Sequence, residues 1–281
     1  MLITKTRIQV GADSPFRALH MTDNHIALAD TRDGERKMRL AESRSEVFGG
    51  ADRLTALFQK QLSYAKENRL PILHTGDICD FVSYKNLEFV SDALRDTDFF
   101  MAAGNHEFSL YVGEAFEDTA YKMQSYDLVQ SYFGMNLLFD SRVIHGVNFV
   151  AVDNSYYRFD SSQLEKLRAE TEKGLPIVLM LHCPLHTDTL YDFMIKSGSP
   201  CAYLTGTPES YMKNYSEHRL LQQRPDQATL SFMDFVYSSK EIRAVLAGHL
   251  HKNAESPLPS GIMQYVTGGG FASLAREIEF I

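Results

Sequence analysis

The chain has 281 residues, 44% of them hydrophobic, and a formal net charge of −8. That length can bury a substantial core, and the acidic balance disfavours a nucleic-acid backbone as main partner, because such binding relies on clustered Lys and Arg. Three cysteines, Cys79, Cys183 and Cys201, are too few for a disulfide framework and agree with a reducing compartment.

No Pro/Gly/Ser-rich linker divides the chain, so it reads as a single domain over 1–281. Met1 to Arg7 contains no apolar signal region. No apolar run reaches the roughly 18 residues of a membrane span. The expectation is a cytoplasmic protein without membrane association.

The first expected strand is Phe16–Thr22, running into Asp23-Asn24-His25. The charged stretch Arg32 to Glu46 reads as a loop with an exposed helical turn. Leu54, Leu57, Phe58 and Leu62 then mark one apolar face of a helix packed on a sheet. A short buried strand, Leu70–His74, opened by Pro71, follows and ends in Gly76-Asp77-Ile78-Cys79-Asp80. A carboxylate at such a strand tip needs a cation, a proton or a hydrogen-bond donor, because an unpaired buried charge is costly.

Helix is expected from about Asn86 to Leu94, then a strand, Phe99–Ala103, ending in Gly104-Asn105-His106-Glu107. A helix across Phe116 to Tyr132 should lead to two adjacent strands, Asn136–Asp140 and Val147–Asp153, the second apolar on both faces. Ser162–Glu170 reads as a helix capped by Ser161 or Ser162. Pro176–Leu181 is a core strand delivering His182. From about 185 to 226 periodicity is lost, in a segment with Tyr191, Tyr203, Tyr211 and Tyr215, which reads as an irregular substrate lid. Helix Gln227–Tyr237 and strand Ile242–Ala247 lead to Gly248-His249-Leu250-His251. Gly268-Gly269-Gly270 has no following Lys-Ser/Thr and reads as a turn before a closing strand.

Five apolar strands therefore end in Asp23/His25, Asp77/Asp80, Asn105/His106, His182 and His249/His251. Ligand sites form outside the carboxyl ends of strands in open α/β sheets, so these groups can share one crevice. Carboxylate, imidazole and one amide oxygen suit borderline metals such as Mn, Fe or Zn. The donors outnumber what one tetrahedral ion takes, and two ions sharing a carboxylate account for the surplus.

Asp23-x-His25, Gly76-Asp77-x-x-Asp80, Gly104-Asn105-His106-Glu107, His182 and Gly248-His249-x-His251, in that order, resemble the signature of the calcineurin-like metallophosphoesterase superfamily. The resemblance implies a four-layer α/β/β/α sandwich of two mixed sheets, and two divalent or trivalent transition-metal ions as cofactors. It implies that Asp23, His25 and His251 hold one ion, that Asn105, His182 and His249 hold the other, and that Asp77 bridges them. His106 would be the unligated acid that protonates the leaving oxygen, oriented by Asp80, and a hydroxide bridging the ions would be the nucleophile. The related protein phosphatases carry an Arg directly after the second Asp, where this chain has Phe81. The expected activity is therefore hydrolysis of phosphodiesters of small molecules or nucleotides, with a phosphomonoesterase as the alternative. A non-catalytic protein-binding scaffold would lack ligands or the acid, and none is missing.

Overall fold

A computed structural model describes residues 1–281. The strands, in chain order, are β1 (Leu2–Ile8), β2 (Phe16–Met21), β3 (Ile72–His74), β4 (Phe99–Met101), β5 (Phe139–Ile144), β6 (Val147–Val152), β7 (Ile177–Met180), β8 (Ile242–Ala247), β9 (Ala254–Pro257), β10 (Met263–Val266) and β11 (Leu274–Phe280). One sheet runs β1-β11-β2-β3-β4 and the other β5-β6-β7-β8-β10-β9. Both are mixed: β2, β3 and β4 are parallel neighbours with β11 antiparallel to β2, while β6, β7, β8 and β10 are parallel between antiparallel β5 and β9.

Side chains alternate across a strand, so each sheet has two faces to cover. Val147, Phe149 and Ala151 of β6 pack between the sheets with Ala18, Leu73, Phe100 and Phe280. Their neighbours Val150 and Val152 face outward, into a layer with Leu167 of α6 (Ser161–Thr171) and Phe232 and Val236 of α9 (Gln227–Ser238). The outer face of the first sheet is covered in the same way. Leu54, Phe58 and Leu62 of α2 (Ala51–Asn68) and Leu87 and Val90 of α3 (Tyr84–Leu94) pack on Leu19, Met21, Ile72 and Met101. Each such side chain, fully buried, contributes about 1.5–3 kcal/mol. Helix, sheet, sheet, helix is the expected four-layer order.

Several expectations are corrected. The charged stretch before α2 is a 14-residue helix, α1 (Gly34–Val47), which buries only Ala41 and Ser45 and so lacks an apolar stripe. Phe116 to Tyr132 is broken into α4 (Thr119–Met123) and α5 (Tyr126–Gln130), and α6 is capped by Asp160. β5 begins at Phe139 rather than Asn136, and β1 is a strand with no expected counterpart. The segment 185–226 is not irregular throughout. It contains α7 (Asp188–Lys196) and α8 (Glu217–Gln223), and Leu190, Met194, Ala202 and Leu204 join a core cluster with Ala247 and Val266. Gly268-Gly269-Gly270 does precede a closing strand, β11, as read.

Candidate metal centre

The loops after β2, β3, β4, β7 and β8 converge, the first three from one sheet and the last two from the other. They are stitched by backbone hydrogen bonds, Asp23 N–H to Gly76 O at 2.9 Å and Gly248 N–H to His182 O at 3.0 Å among them. Glu107 organises the β3 and β4 loops, its buried carboxylate accepting from the N–H groups of Asp77, Ile78, Cys79 and Gly104 at 2.7–3.1 Å. Close approach explains Gly104, where a Cβ would lie 2.2 Å from Asp77 Oδ1. Asp23, His25, Asp77, His249 and His251 all adopt left-handed backbone, φ 50° to 65°. Non-glycine residues avoid that region unless their surroundings impose it, and such strain clusters at functional sites.

All the expected donors meet. His25 Nε2 and His251 Nε2 are 3.0 Å apart, with Asp23 Oδ1 3.7 and 3.2 Å from them. His182 Nε2 lies 2.9 Å from His249 Nδ1 and 3.2 Å from Asn105 Oδ1. Asp77 Oδ2 stands between the two groups, 4.0 Å from His25 Nε2 and 3.2 Å from His182 Nε2. The outer nitrogens are engaged: His25 Nδ1–H donates to Asp80 Oδ1 at 2.9 Å and His182 Nδ1–H to the Thr75 carbonyl at 2.6 Å. That fixes each ring with its Nε2 turned inward, as a metal-binding imidazole requires.

The cluster attracts positive charge. Burial works against protonating His25 and His182, but the carboxylates of Asp23 and Asp80 outweigh it at His25 and Asp77 does so at His182, raising them to about 10 and about 9. Burial also opposes ionisation of Asp77, yet His182 and His106 hold its acid below the usual carboxylate range. Asp23 Oδ1 is buried without a hydrogen-bond partner, an arrangement a cation would relieve. Asp23, His25 and His251 form one set of donor atoms all within 4.8 Å of one another, and Asp23, Asp77 and His182 form a second. These nitrogen and oxygen donors fit transition-metal ions. Cys183 lies beside His182 and His249, but burial pushes its thiol well above the ordinary range.

The family model described as calcineurin-like phosphoesterase matches residues 16–253, which span every one of these donors. The chain belongs to the calcineurin-like phosphoesterase family. As a member it is a metal-dependent phosphoesterase, a hydrolase of phosphoric esters. No curated protein matches it. A solved dimetal phosphatase from Danio rerio shares the fold at 16% identity and a TM-score of 0.53, over 91% of this chain and 88% of that one. A calcineurin-like phosphoesterase, YfkN, from Bacillus subtilis is 12% identical with a TM-score of 0.41, over 92% and 82%. A 5'-nucleotidase from Candida albicans is 13% identical with a TM-score of 0.42, over 96% and 47%.

Within this phosphoesterase the contacts of Asp80 differ from expectation. His106 Nδ1–H donates to the backbone carbonyl of Asp80 at 2.6 Å, while the Asp80 carboxylate, 3.4 Å from that nitrogen, accepts from His25 and from Arg44. Arg44 lies on α1, the stretch expected to be a loop with an exposed helical turn. Its neighbour Phe48 stacks on His25, ring centres 4.4 Å apart and nearly parallel. Tyr157, in left-handed backbone at φ 66°, shares a 2.7 Å hydrogen bond with His249 Nε2. Nothing in the spacing of the sequence announces these three residues.

A cavity of about 450 Å³ opens on Asp77, Asn105, His106, His249 and His251. The segment 185–226 supplies part of its wall through Met194, Ser199, Tyr203, His218 and Arg219. His186 is not in that wall, and Arg224 pairs with Glu209 on the surface. No helix is long and apolar enough to cross a membrane.

Proposed function

We propose that this phosphoesterase hydrolyses phosphodiesters of small molecules or nucleotides with two transition-metal ions. Asp23, His25 and His251 would hold one ion, Asn105, His182 and His249 the other, with Asp77 shared. Ions bound there supply Lewis acidity toward phosphoryl oxygens and lower the pKa of water. The remaining work falls to the chain. His106 is oriented by its Nδ1–H bond to the Asp80 carbonyl, and its Nε2, when protonated, can hand a proton to the departing oxygen. The Asp80 carboxylate holds His25 rather than His106. The wall from 185–226 selects the ester.

The observation that carries the diester reading is the absence of a free guanidinium on the loops bearing the cluster, where the cation at the cavity, Lys252, is turned to the Phe193 ring. Phe81 is fully buried in the core, and Arg44 is taken up by Asp80. A phosphomonoester presents a dianion there, whereas a diester presents a single charge and needs less neutralisation. Protein reloaded with Mn²⁺ should therefore show higher kcat/KM for bis(4-nitrophenyl) phosphate than for 4-nitrophenyl phosphate. The reverse order would assign the site to monoesters.

A further inference from the structure

The cavity carries two cations that nothing in the reaction chemistry uses, one on the 185–226 segment and one directly after His251. Arg219 and Lys252 both line the cavity, and neither has a carboxylate oxygen within 4.0 Å. By contrast Arg44, Lys122 and Arg276 are each paired with a carboxylate: Asp80, Asp153 and Glu255. Arg219 Nη1–H donates to the neutral Gln222 Oε1 at 2.6 Å, and its guanidinium carbon lies 5.1 Å from the centre of the Tyr203 ring. Gln222 in turn donates to Glu117 Oε2 at 2.9 Å, so the nearby carboxylate is bonded to an amide and not to the guanidinium. Lys252 follows His251 directly, and its ammonium sits 5.5 Å from the centre of the Phe193 ring.

Tyr203 links this wall to the cluster. Its backbone is left-handed, φ 56°, and its ring stands 5.8 Å from that of His249. The Tyr203 ring thus neighbours both Arg219 and His249. A guanidinium fixed by stacking and by one neutral hydrogen bond keeps further N–H donors for planar oxyanions. A cavity of about 450 Å³ has room beyond the phosphoryl group being cleaved.

We propose that Arg219 and Lys252 form an anion subsite, and that the substrate carries a second negative group, phosphate or carboxylate, beyond the ester that is hydrolysed. This rests on the phosphoesterase reading of the cluster but not on its preference for diesters. The subsite narrows the substrate class: esters whose other end is neutral or cationic are disfavoured.

Binding by the Mn²⁺-loaded protein tests this without turnover. Calorimetric titration should show 3-phosphonopropionate and propane-1,3-bisphosphonate binding at least about tenfold more tightly than propylphosphonate, and comparing the first two separates carboxylate from phosphate. Arg219→Gln and Lys252→Gln should each shrink that preference several-fold, Arg219→Lys should retain part of it, and Arg224→Gln should leave it unchanged. In the kinetic arm, the kcat/KM ratio of 2-carboxyethyl to ethyl 4-nitrophenyl phosphate should fall about tenfold in Arg219→Gln, chiefly through KM. Equal binding of all three phosphonates by the wild type overturns the subsite, as does a preference that survives both substitutions. If no diester is hydrolysed while the binding preference and its loss are observed, the diester reading fails and the subsite stands.

Discussion

Arg44 and Asp80 form a two-pronged ion pair, Nε–H to Oδ2 at 2.6 Å and Nη2–H to Oδ1 at 2.9 Å, and the same Oδ1 accepts the Nδ1–H of His25. The pair fixes the carboxylate that fixes the imidazole. Loss of such an outer partner typically costs about 10–100-fold in metal affinity. Arg44→Met should weaken the ion proposed for Asp23, His25 and His251 to that extent and disturb the His182 group less. Mn²⁺ titration of wild type and variant checks this, and an unchanged first site would leave Arg44 a purely structural role.

Asp77 Oδ2 stands between the two groups, and in the proposed assignment it is the donor both ions share. Asp77→Asn should therefore weaken two ions together, whereas His25→Ala should weaken one preferentially. Metal analysis after reloading with Mn²⁺ should give about two ions per wild-type chain. A reproducible value of one or none would end the dinuclear assignment.

His106 is held by the Asp80 carbonyl, and in the proposed role of general acid its help would be worth about 10²–10⁴-fold. A proton given from there would matter most when the departing oxygen is basic. His106→Ala should lose far more activity on an alkyl ester than on a nitrophenyl ester, with metal content near normal. Equal losses on the two esters, or loss of metal, would remove His106 from the acid role.

Gly104 gives a steric prediction. A methyl group there meets Asp77 Oδ1 at 2.2 Å and Asp77 N at 2.5 Å, while one on Gly134 meets nothing within 4 Å. Overpacking of this kind costs about 1–3 kcal/mol. Urea unfolding of Gly104→Ala should show that loss together with reduced metal binding, and Gly134→Ala should stay within about 0.5 kcal/mol of wild type. Comparable midpoints for the two variants would contradict the close contact.

Hydrophobic runs alone mark the strands that carry the cluster and the residues at their ends. Apolar runs such as Phe99–Ala103 and Pro176–Leu181 are buried on both faces, and they stop where Gly104-Asn105 and His182 begin, so strand and ligand were written in adjacent letters. The four-layer fold was legible through the family resemblance of those endings. Local patterns could not show what α1 does, because its polar surface leaves no periodic stripe and its Arg44 and Phe48 act on residues far away in sequence. Nor could they divide the labour of Asp80, whose carboxylate goes to His25 and whose carbonyl goes to His106. The tertiary structure alone decided which basic residues of the long segment face the cavity. Arg219 lines it and Arg224 is neutralised by Glu209 at the surface, a distinction set by where α8 packs and not by any local pattern around two arginines five residues apart.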